Sequence, residues 1–186
     1  YLMADEPDLV EEVFREVGQR IYRYYERVAE LDCVGVLMIN DDWGFNTQTM
    51  LAPEDMRRLV FPWHKKMVDL AHRHGKPAIL HSCGNLKDVY DDLIDRIGFD
   101  GKHSYEDNIQ PVEEAYDQYS NRIAIMGGID LDFVCRQTPE NVYERACKML
   151  EKTEGKAYGL GTGNSIAPYV PHENYFAMIS AALQNR

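Results

Sequence analysis

The sequence predicts an α/β protein built on a parallel sheet, and two observations support this fold class. Short apolar stretches alternate along the 186 residues with stretches whose apolar residues recur at helical spacing. Most apolar stretches end in Gly, Asp, His or Asn, and parallel α/β folds place their binding and catalytic residues at the carboxyl ends of the strands. Five strand and helix units in strict alternation predict right-handed crossovers within a single domain over residues 1–186.

The helices are predicted from apolar periodicity and from the residues at their ends. Residues 1–31 contain a leading helix, because apolar side chains recur there at helical spacing. Pro53 at a first helical position, followed by two acidic residues, begins a helix that extends to about residue 74. Thr138 caps a further helix that ends near Lys152. The remaining helices are predicted at residues 86–97 and 111–119 and from residue 171 onward.

The strands are predicted where apolar residues follow one another without a break. The segment "CVGVLMIN", residues 33–40, is apolar throughout, as expected for a parallel strand that is covered on both faces. The segment "KPAILHSCG", residues 76–84, has the same character. The last predicted strand has glycine at alternate positions and so has few side chains to pack into a core. A bound ligand or a bent backbone explains these glycines better than core formation does. The other strands are predicted at residues 99–105, 122–130 and 157–164.

The composition disfavours several classes of partner. Thirty-one acidic against 20 basic residues give a net charge of −11, spread along the chain, which opposes binding to nucleic acid or to an anionic membrane surface. No stretch approaches the roughly 20 consecutive apolar residues of a membrane helix, and the N-terminus lacks the layout of a signal peptide. We therefore expect a cytoplasmic protein whose 4 cysteines are free thiols or ligands rather than disulfides.

His81 and Cys83 are the first candidate metal ligands. They lie two positions apart at the end of a predicted strand, so their side chains point to the same face of the sheet. Imidazole and thiolate together favour zinc, which takes nitrogen and sulfur donors in tetrahedral geometry. The alternative is a buried cysteine beside a histidine that is hydrogen-bonded at a strand end.

Acidic residues follow two of the strands and are candidate catalytic residues. Asp41 and Asp42 close the first strand, and successive residues there face opposite sides, so at most one should point into the site. Glu106 follows the third strand and could ligate a metal or act as a general base. For all three, the alternative is a helix cap, a loop ion pair or a solvated loop acid.

Two glycine-rich strand exits are candidate substrate-binding segments. Glycine permits close approach of the backbone to a ligand, or a tight turn that needs a positive φ. Polar side chains beside the glycines are available to contact a substrate. The candidate substrate-binding residues are Gly127, Gly128 and Asp130 in "MGGID", and Gly163, Asn164 and Ser165 in "GLGTGNSIAPYVPHEN".

These motifs occur in a specific order along the chain. "HSCGN" is followed by "IGFDG", then "MGGID", then "GTGNSIAPYVPHENYFAMI". In this order they resemble the uroporphyrinogen decarboxylase (URO-D) superfamily, including its corrinoid-dependent methyltransferase branch. The resemblance implies a TIM-type (β/α)8 barrel, of which this chain supplies about the last five βα units. Open sheet edges are a liability, so we expect the missing N-terminal barrel part in a longer polypeptide or in a second chain.

The methyltransferase branch implies a zinc ion held by a His-x-Cys pair and a later Cys, which activates a thiol for methyl transfer. His81 and Cys83 match the pair, whereas Asn164 or Ser165 stands where the later Cys would be. Glu106 is then the preferred third ligand, with water or substrate in the open position. The resemblance implies a zinc-assisted methyltransferase whose donor is a methyl-corrinoid, carried by a corrinoid protein, or a small methylated compound.

Two alternatives stay open. The decarboxylase branch forms coproporphyrinogen from uroporphyrinogen without a cofactor, in tetrapyrrole biosynthesis. Its members resemble one another in a Leu-Gly-His-Gly exit from the last strand, where this chain has Leu-Gly-Thr-Gly at residues 160–163. The other alternative is a non-catalytic or truncated barrel segment that serves assembly. In each case we expect little turnover from these 186 residues alone, because part of the pocket is missing.

Overall fold

A computed structural model describes residues 1–185 and has the predicted parallel α/β architecture. Its five strands form one sheet in which each strand pairs in parallel with the next along the chain. This sequential order is that of a (β/α)8 barrel of which five units are present, so the predicted fold class is confirmed. The strands are β1 (Leu37–Asn40), β2 (Ala78–His81), β3 (Gly101–His103), β4 (Ala124–Met126) and β5 (Tyr158–Gly159).

The helices lie where the apolar periodicity predicts them, with three differences. The predicted helix at residues 86–97 is a 3₁₀ turn, Lys87–Val89, followed by a π-helical segment, Asp92–Ile97. A second π-helical segment, Met56–Val60, interrupts the helix predicted from Pro53. One short helix, α6, was not predicted. The α-helices are α1 (Leu2–Asp5), α2 (Pro7–Ala29), α3 (Pro53–Asp55), α4 (Phe61–Arg73), α5 (Val112–Tyr119), α6 (Leu131–Arg136), α7 (Pro139–Thr153) and α8 (His172–Gln184).

The two faces of the sheet have different environments. On one face, a row of register partners that includes Ile39, Leu80 and Ile125 is buried beneath the helices. The opposite face corresponds to the interior of a barrel, and there Met38 remains 42% exposed. The strands are shorter than predicted, and the remaining residues of each predicted segment lie in loops. The sheet therefore presents one core face and one open face.

A lysine side chain, Lys102, is buried on the core face of the sheet. Lys102 is the register partner of Leu80 and Ile125, and only 3% of its surface is exposed. Its Nζ donates to the carbonyl oxygen of Ser104 and lies 4.0 Å from the centroid of the Tyr105 ring. Burial lowers the pKa of Lys102 to about 7, because desolvation disfavours the charged amine.

Helix α2 has two apolar stripes, and only one is covered. Val10 is buried and Phe14 is partly buried against the core, and α2 packs against α4, where a Cβ at Gly18 would lie 2.3 Å from the Trp63 ring. Within residues 1–185, no helix combines the length and the apolar character needed to cross a membrane. The second stripe of α2 is exposed and consists of Leu9, Val13, Val17, Ile21 and Tyr24.

Helix α6 is held at both ends by side chains. Asp130 accepts a hydrogen bond from Phe133 N at 3.0 Å and caps the N-terminus. Asn174 is buried and donates from Nδ2 to Val134 O at 2.7 Å and to Gln137 O at 2.8 Å. These carbonyls have no partner within α6, so Asn174 supplies the hydrogen bonds that the helix end lacks.

Asn174→Ala is expected to lower the free energy of unfolding by about 2 kcal/mol, since the buried Val134 carbonyl and the partly buried Gln137 carbonyl lose their donor. Urea unfolding followed by circular dichroism measures the change. The exposed Asn121→Ala is the matched control and should leave the stability within about 0.5 kcal/mol of the wild type. Equal effects from the two variants would show that Asn174 does not hold α6.

Lys102→Met is expected to change how stability depends on pH. The pKa of Lys102 is about 7 in the folded protein, against about 10.4 in an unfolded chain. Between these values only the unfolded chain holds the proton, so the wild-type free energy of unfolding rises with pH. From pH 7 to 9 the rise relative to Lys102→Met should be about 2 kcal/mol.

Urea unfolding at several pH values measures this difference, with the exposed Lys156→Met as the control. Parallel pH dependences of the wild type and Lys102→Met would contradict the expectation.

Candidate metal centre

Three potential metal ligands meet at the carboxyl ends of β1 and β2. One ligand atom each from Asp42, His81 and Cys83 lies within 4.8 Å of the other two. His81 is the last residue of β2, and its Nε2 is 3.9 Å from Cys83 Sγ. Cys83 N donates to Asp42 Oδ1 at 3.0 Å, which holds the carboxylate over the end of the neighbouring strand. The open face of the sheet therefore carries oxygen, nitrogen and sulfur donors at one point.

The loops after β1 and β2 cross in contact, and this crossing positions the triad. Gly84 has φ +85°, and a Cβ there would lie 2.1 Å from Gly44 O. Trp43 N donates to Ser82 Oγ at 3.0 Å, and Asn85 N donates to Phe45 O at 2.7 Å. Since only glycine permits this approach and this φ, the crossing is specified by sequence. It fixes the backbone on both sides of the ligands.

The Cys83 sulfur accepts two hydrogen bonds from side chains of other elements. Ser104 Oγ lies 3.3 Å from Sγ, and Asn164 Nδ2 lies 3.2 Å from it. Burial raises the pKa of the Cys83 thiol, and the carboxylates of Asp42 and Glu106 raise it further, against the lowering effect of the Ser104 hydrogen bond. The thiol therefore keeps its proton unless a cation displaces it.

Ser104 has an unusual backbone for its residue type. Its φ is +83°, a value that costs a non-glycine residue free energy and that commonly occurs at functional sites. The conformation places its hydroxyl on the Cys83 sulfur and its carbonyl on the Lys102 amine. One strained residue thus connects the open face of the sheet to the buried cation beneath it.

A second histidine contacts His81 on its other side. His103, the register partner of His81 on β3, has its Nδ1 2.7 Å from His81 Nδ1. Its Nε2 lies 3.2 Å from Thr162 O. Burial lowers the pKa of both histidines, so both imidazoles are neutral at pH 7. Neutral imidazole is the form of histidine that binds metals.

The donor set fits zinc. Zinc accepts imidazole nitrogen, thiolate sulfur and carboxylate oxygen, and its catalytic sites use three protein ligands with one position left for water or substrate. Asp42, His81 and Cys83 supply one donor of each kind. Asn164 stands beside the sulfur, but its amide nitrogen faces Cys83 as a hydrogen-bond donor. The side chain that takes the place of the expected later cysteine thus supports the ligand sulfur.

Two of the predicted catalytic acids, Asp41 and Glu106, lie outside the triad. Asp41 faces away from the triad, where its Oδ2 accepts from Trp43 Nε1 at 3.1 Å and lies 3.4 Å from His64 Nε2. Glu106, the preferred third ligand on sequence, is not one of the three donors. Its Oε1 accepts from Gly84 N at 3.4 Å. Asp42 is the carboxylate within ligand distance of His81 and Cys83, because the loop crossing brings the end of β1 against Cys83.

Most of the predicted substrate-binding residues allow close backbone packing or cap a helix. A Cβ at Gly128 would lie 2.4 Å from the Val112 side chain, and one at Gly163 would lie 2.2 Å from Tyr105 O. Asp130 caps α6 and also accepts from Asp107 N at 2.9 Å. Gly127 borders the His103 ring. Ser165 is exposed, and its N–H donates to the Asn164 side chain.

Three residues around the triad escaped the sequence analysis: Ser104, His103 and Thr162. His103 had a detectable signal, since "LH" and "KH" close two consecutive predicted strands and parallel strands align at their carboxyl ends. Ser104 and Thr162 had none. Their contributions depend on a strained φ and on a backbone carbonyl, which sequence patterns do not reveal.

Comparison with known proteins agrees with the fold and the motifs. A sequence model described as "Uroporphyrinogen decarboxylase (URO-D)" matches residues 1–184. A uroporphyrinogen decarboxylase of Prochlorococcus marinus (strain MIT 9515) is 27% identical over 172 residues, which are 91% of this chain and 46% of that protein. The enzyme of the same name from strain MIT 9215 is 30% identical over 144 residues, 75% of this chain and 38% of that protein.

A solved structure extends the comparison of the fold. A methyltransferase from Methanosarcina mazei superposes with a TM-score of 0.78 at 22% identity, covering 98% of this chain and 51% of that one. The chain thus spans between 38% and 51% of the length of these relatives. With a family match over nearly all of its residues, the chain belongs to the uroporphyrinogen decarboxylase (URO-D) family.

Proposed function

We propose that this chain carries the metal centre of a zinc-dependent methyltransferase of the URO-D family, with Asp42, His81 and Cys83 as ligands. The observation that supports the proposal is the convergence of a carboxylate, an imidazole and a thiol on the open face of the sheet. A cofactor-free decarboxylation has no use for a thiol and an imidazole at ligand distance. A zinc-activated thiol acceptor requires such a set.

The reaction consists of methyl transfer to sulfur. Zinc, when bound, would supply the Lewis acidity that keeps a thiol acceptor in its thiolate form at neutral pH. The acceptor sulfur forms a bond to the methyl carbon while the bond between the methyl group and its donor breaks. The bonding electron pair stays on the donor, which is a methyl-corrinoid or a small methylated compound.

The residues of this chain prepare the site for that step. With a cation bound, Cys83 would be a thiolate, and the donors from Ser104 and Asn164 would stabilise the negative sulfur by hydrogen bonding. Asp42 would balance part of the cation charge and is itself held by Cys83 N. His81 would contribute a neutral ring. The chain would thus provide the ligands and their supporting contacts.

Decarboxylation of uroporphyrinogen is the second candidate, because both curated relatives carry that name. It needs no metal at the triad. The last strand exit has Thr162 rather than histidine, and this residue uses its carbonyl to accept from His103. The acidic net charge of −11 also opposes a polyanionic tetrapyrrole.

We also propose that the missing N-terminal barrel part, in the same polypeptide or in a second chain, covers the exposed elements. Within residues 1–185, β1 and β5 each pair with one strand only, and α2, which contacts β1, exposes an apolar stripe. An unpaired edge and an apolar stripe are the surfaces that further βα units would bury. A corrinoid protein is the partner that would deliver the methyl donor.

The purified chain is expected to bind about one zinc ion, and Cys83→Ala is expected to weaken binding by at least about 10-fold, since thiolate is the softest of the three donors. Zinc content after dialysis against a competing chelator measures this. Cys33→Ala removes an exposed cysteine and is the matched control. Metal-free wild type, together with coproporphyrinogen formation by the full-length protein, would favour the decarboxylase instead.

The isolated chain of 186 residues is expected to hold zinc yet transfer methyl groups slowly, at most a few per cent of the rate of the full-length protein. The reason is that about three of the eight strands of a complete barrel, with their loops, would lie outside this chain. Methylcobalamin and 2-mercaptoethanol serve as donor and acceptor, with the zinc content confirming that the site is intact. Full turnover by the isolated chain would contradict this view of the pocket.

A further inference from the structure

We infer that His103 is a positioning residue that holds His81 in the tautomer whose Nε2 is free of a proton. The inference deepens the proposed function, because that nitrogen is the one that faces Cys83 and would bind the metal. It is drawn from the hydrogen bonds that connect β2, β3 and the exit of β5. The proton positions along these bonds follow from the chemistry of each partner.

The first step is the contact between His103 and Thr162. His103 Nε2 lies 3.2 Å from Thr162 O. A carbonyl oxygen has only lone pairs, so the hydrogen of this bond belongs to His103 Nε2. A neutral imidazole carries one N–H, and its Nδ1 therefore has a lone pair.

The second step is the contact between the two rings. His81 Nδ1 and His103 Nδ1 are 2.7 Å apart. The ring centroids are 4.9 Å apart and the ring planes are 29° from parallel, so the rings meet edge to edge with the two nitrogens between them. Because His103 Nδ1 accepts, His81 Nδ1 must donate. The single N–H of His81 is then used, and its Nε2 carries the lone pair.

The third step is the direction of that lone pair. His81 Nε2 is the atom that lies 3.9 Å from Cys83 Sγ, within the group that includes Asp42. In the other tautomer this position would hold a hydrogen and could not ligate a cation. The contact with His103 thus selects the form of His81 that a metal requires, as second-shell partners of metal-bound histidines do.

Gly127 provides the space for this arrangement. Its φ is +71°, and a Cβ there would lie 2.4 Å from Thr162 O and 2.8 Å from His103 Nε2. A side chain would therefore displace either the ring or the carbonyl. The backbone fixes the positions of the other three residues. The parallel register pairs His81 with His103, and a bridge to Ile129 holds Thr162. The glycine predicted to contact substrate acts through the histidine pair.

The tautomers are measured on the metal-free protein by long-range ¹H–¹⁵N NMR of ¹⁵N-histidine-labelled samples. The expected spectrum shows His81 protonated at Nδ1 and His103 protonated at Nε2. A spectrum with His81 protonated at Nε2 would overturn the inference. This readout uses the wild type, requires no bound zinc and does not depend on any variant that fails to fold.

The metal affinity of two variants tests the positioning role. His103→Leu removes the acceptor and should weaken zinc binding about 10- to 100-fold in a chelator competition. His103→Gln offers an oxygen to His81 and an N–H to Thr162, and it should recover most of the affinity. His103→Leu with wild-type affinity, or His103→Gln no better than His103→Leu, would refute the role.

Failure of the proposed function gives a different result. If the wild type binds no zinc while its spectrum shows the expected tautomers, the metal proposal fails and the histidine arrangement stands. If zinc binds and the tautomers are reversed, the metal site stands and the role of His103 fails. Thermal unfolding of both variants shows whether a loss of affinity comes from loss of the fold.

Discussion

The candidate site depends on the contact between Gly44 and Gly84, where the loops that leave β1 and β2 cross backbone to backbone. Without this contact, Asp42 and Cys83 would be two polar residues at separate strand ends. With it, Cys83 N reaches the Asp42 carboxylate and the triad lies within ligand distance. A steric constraint on two glycines therefore sets the distance between the candidate ligands Asp42 and Cys83.

The electrostatics of the site follow from burial and from the acids that the crossing brings together. Burial lowers the pKa of His81 and His103 and raises that of the Cys83 thiol, so each group is neutral at pH 7. Burial also lowers the pKa of Lys102, to about 7. The carboxylates of Asp42 and Glu106 bring negative charge to the thiol, and a divalent cation would reverse the sign of the local field. We therefore expect the site to favour a bound cation, since its positive charge would offset the two carboxylates and would stabilise the Cys83 thiolate.

The sequence predicted the sheet, its parallel pairing and the shared face of His81 and Cys83, because these depend on apolar runs and on the alternation of side chains along a strand. As the third candidate metal ligand, the sequence favoured Glu106, whereas the structure brings Asp42 next to His81 and Cys83. That choice depends on a contact between two loops, which no periodicity encodes. Helix α6 was missed for a related reason, since its end is completed by Asn174 from a helix far along the chain. Interactions local in sequence were predictable, and those made between distant loops were not.

The candidate metal ligands lie entirely within this chain, whereas the substrate pocket that we propose extends beyond it. The three donors lie at β1 and β2, and the groups that support them lie at β3 and at the exit of β5. All of these elements are within this chain, and their hydrogen bonds need no residue from outside it. The pocket, in contrast, needs walls on the open face, where Met38 and the β1 edge are uncovered. The proposed metal binding and the proposed turnover are therefore separable, because this chain supplies all three candidate ligands but only part of the barrel that would surround a substrate.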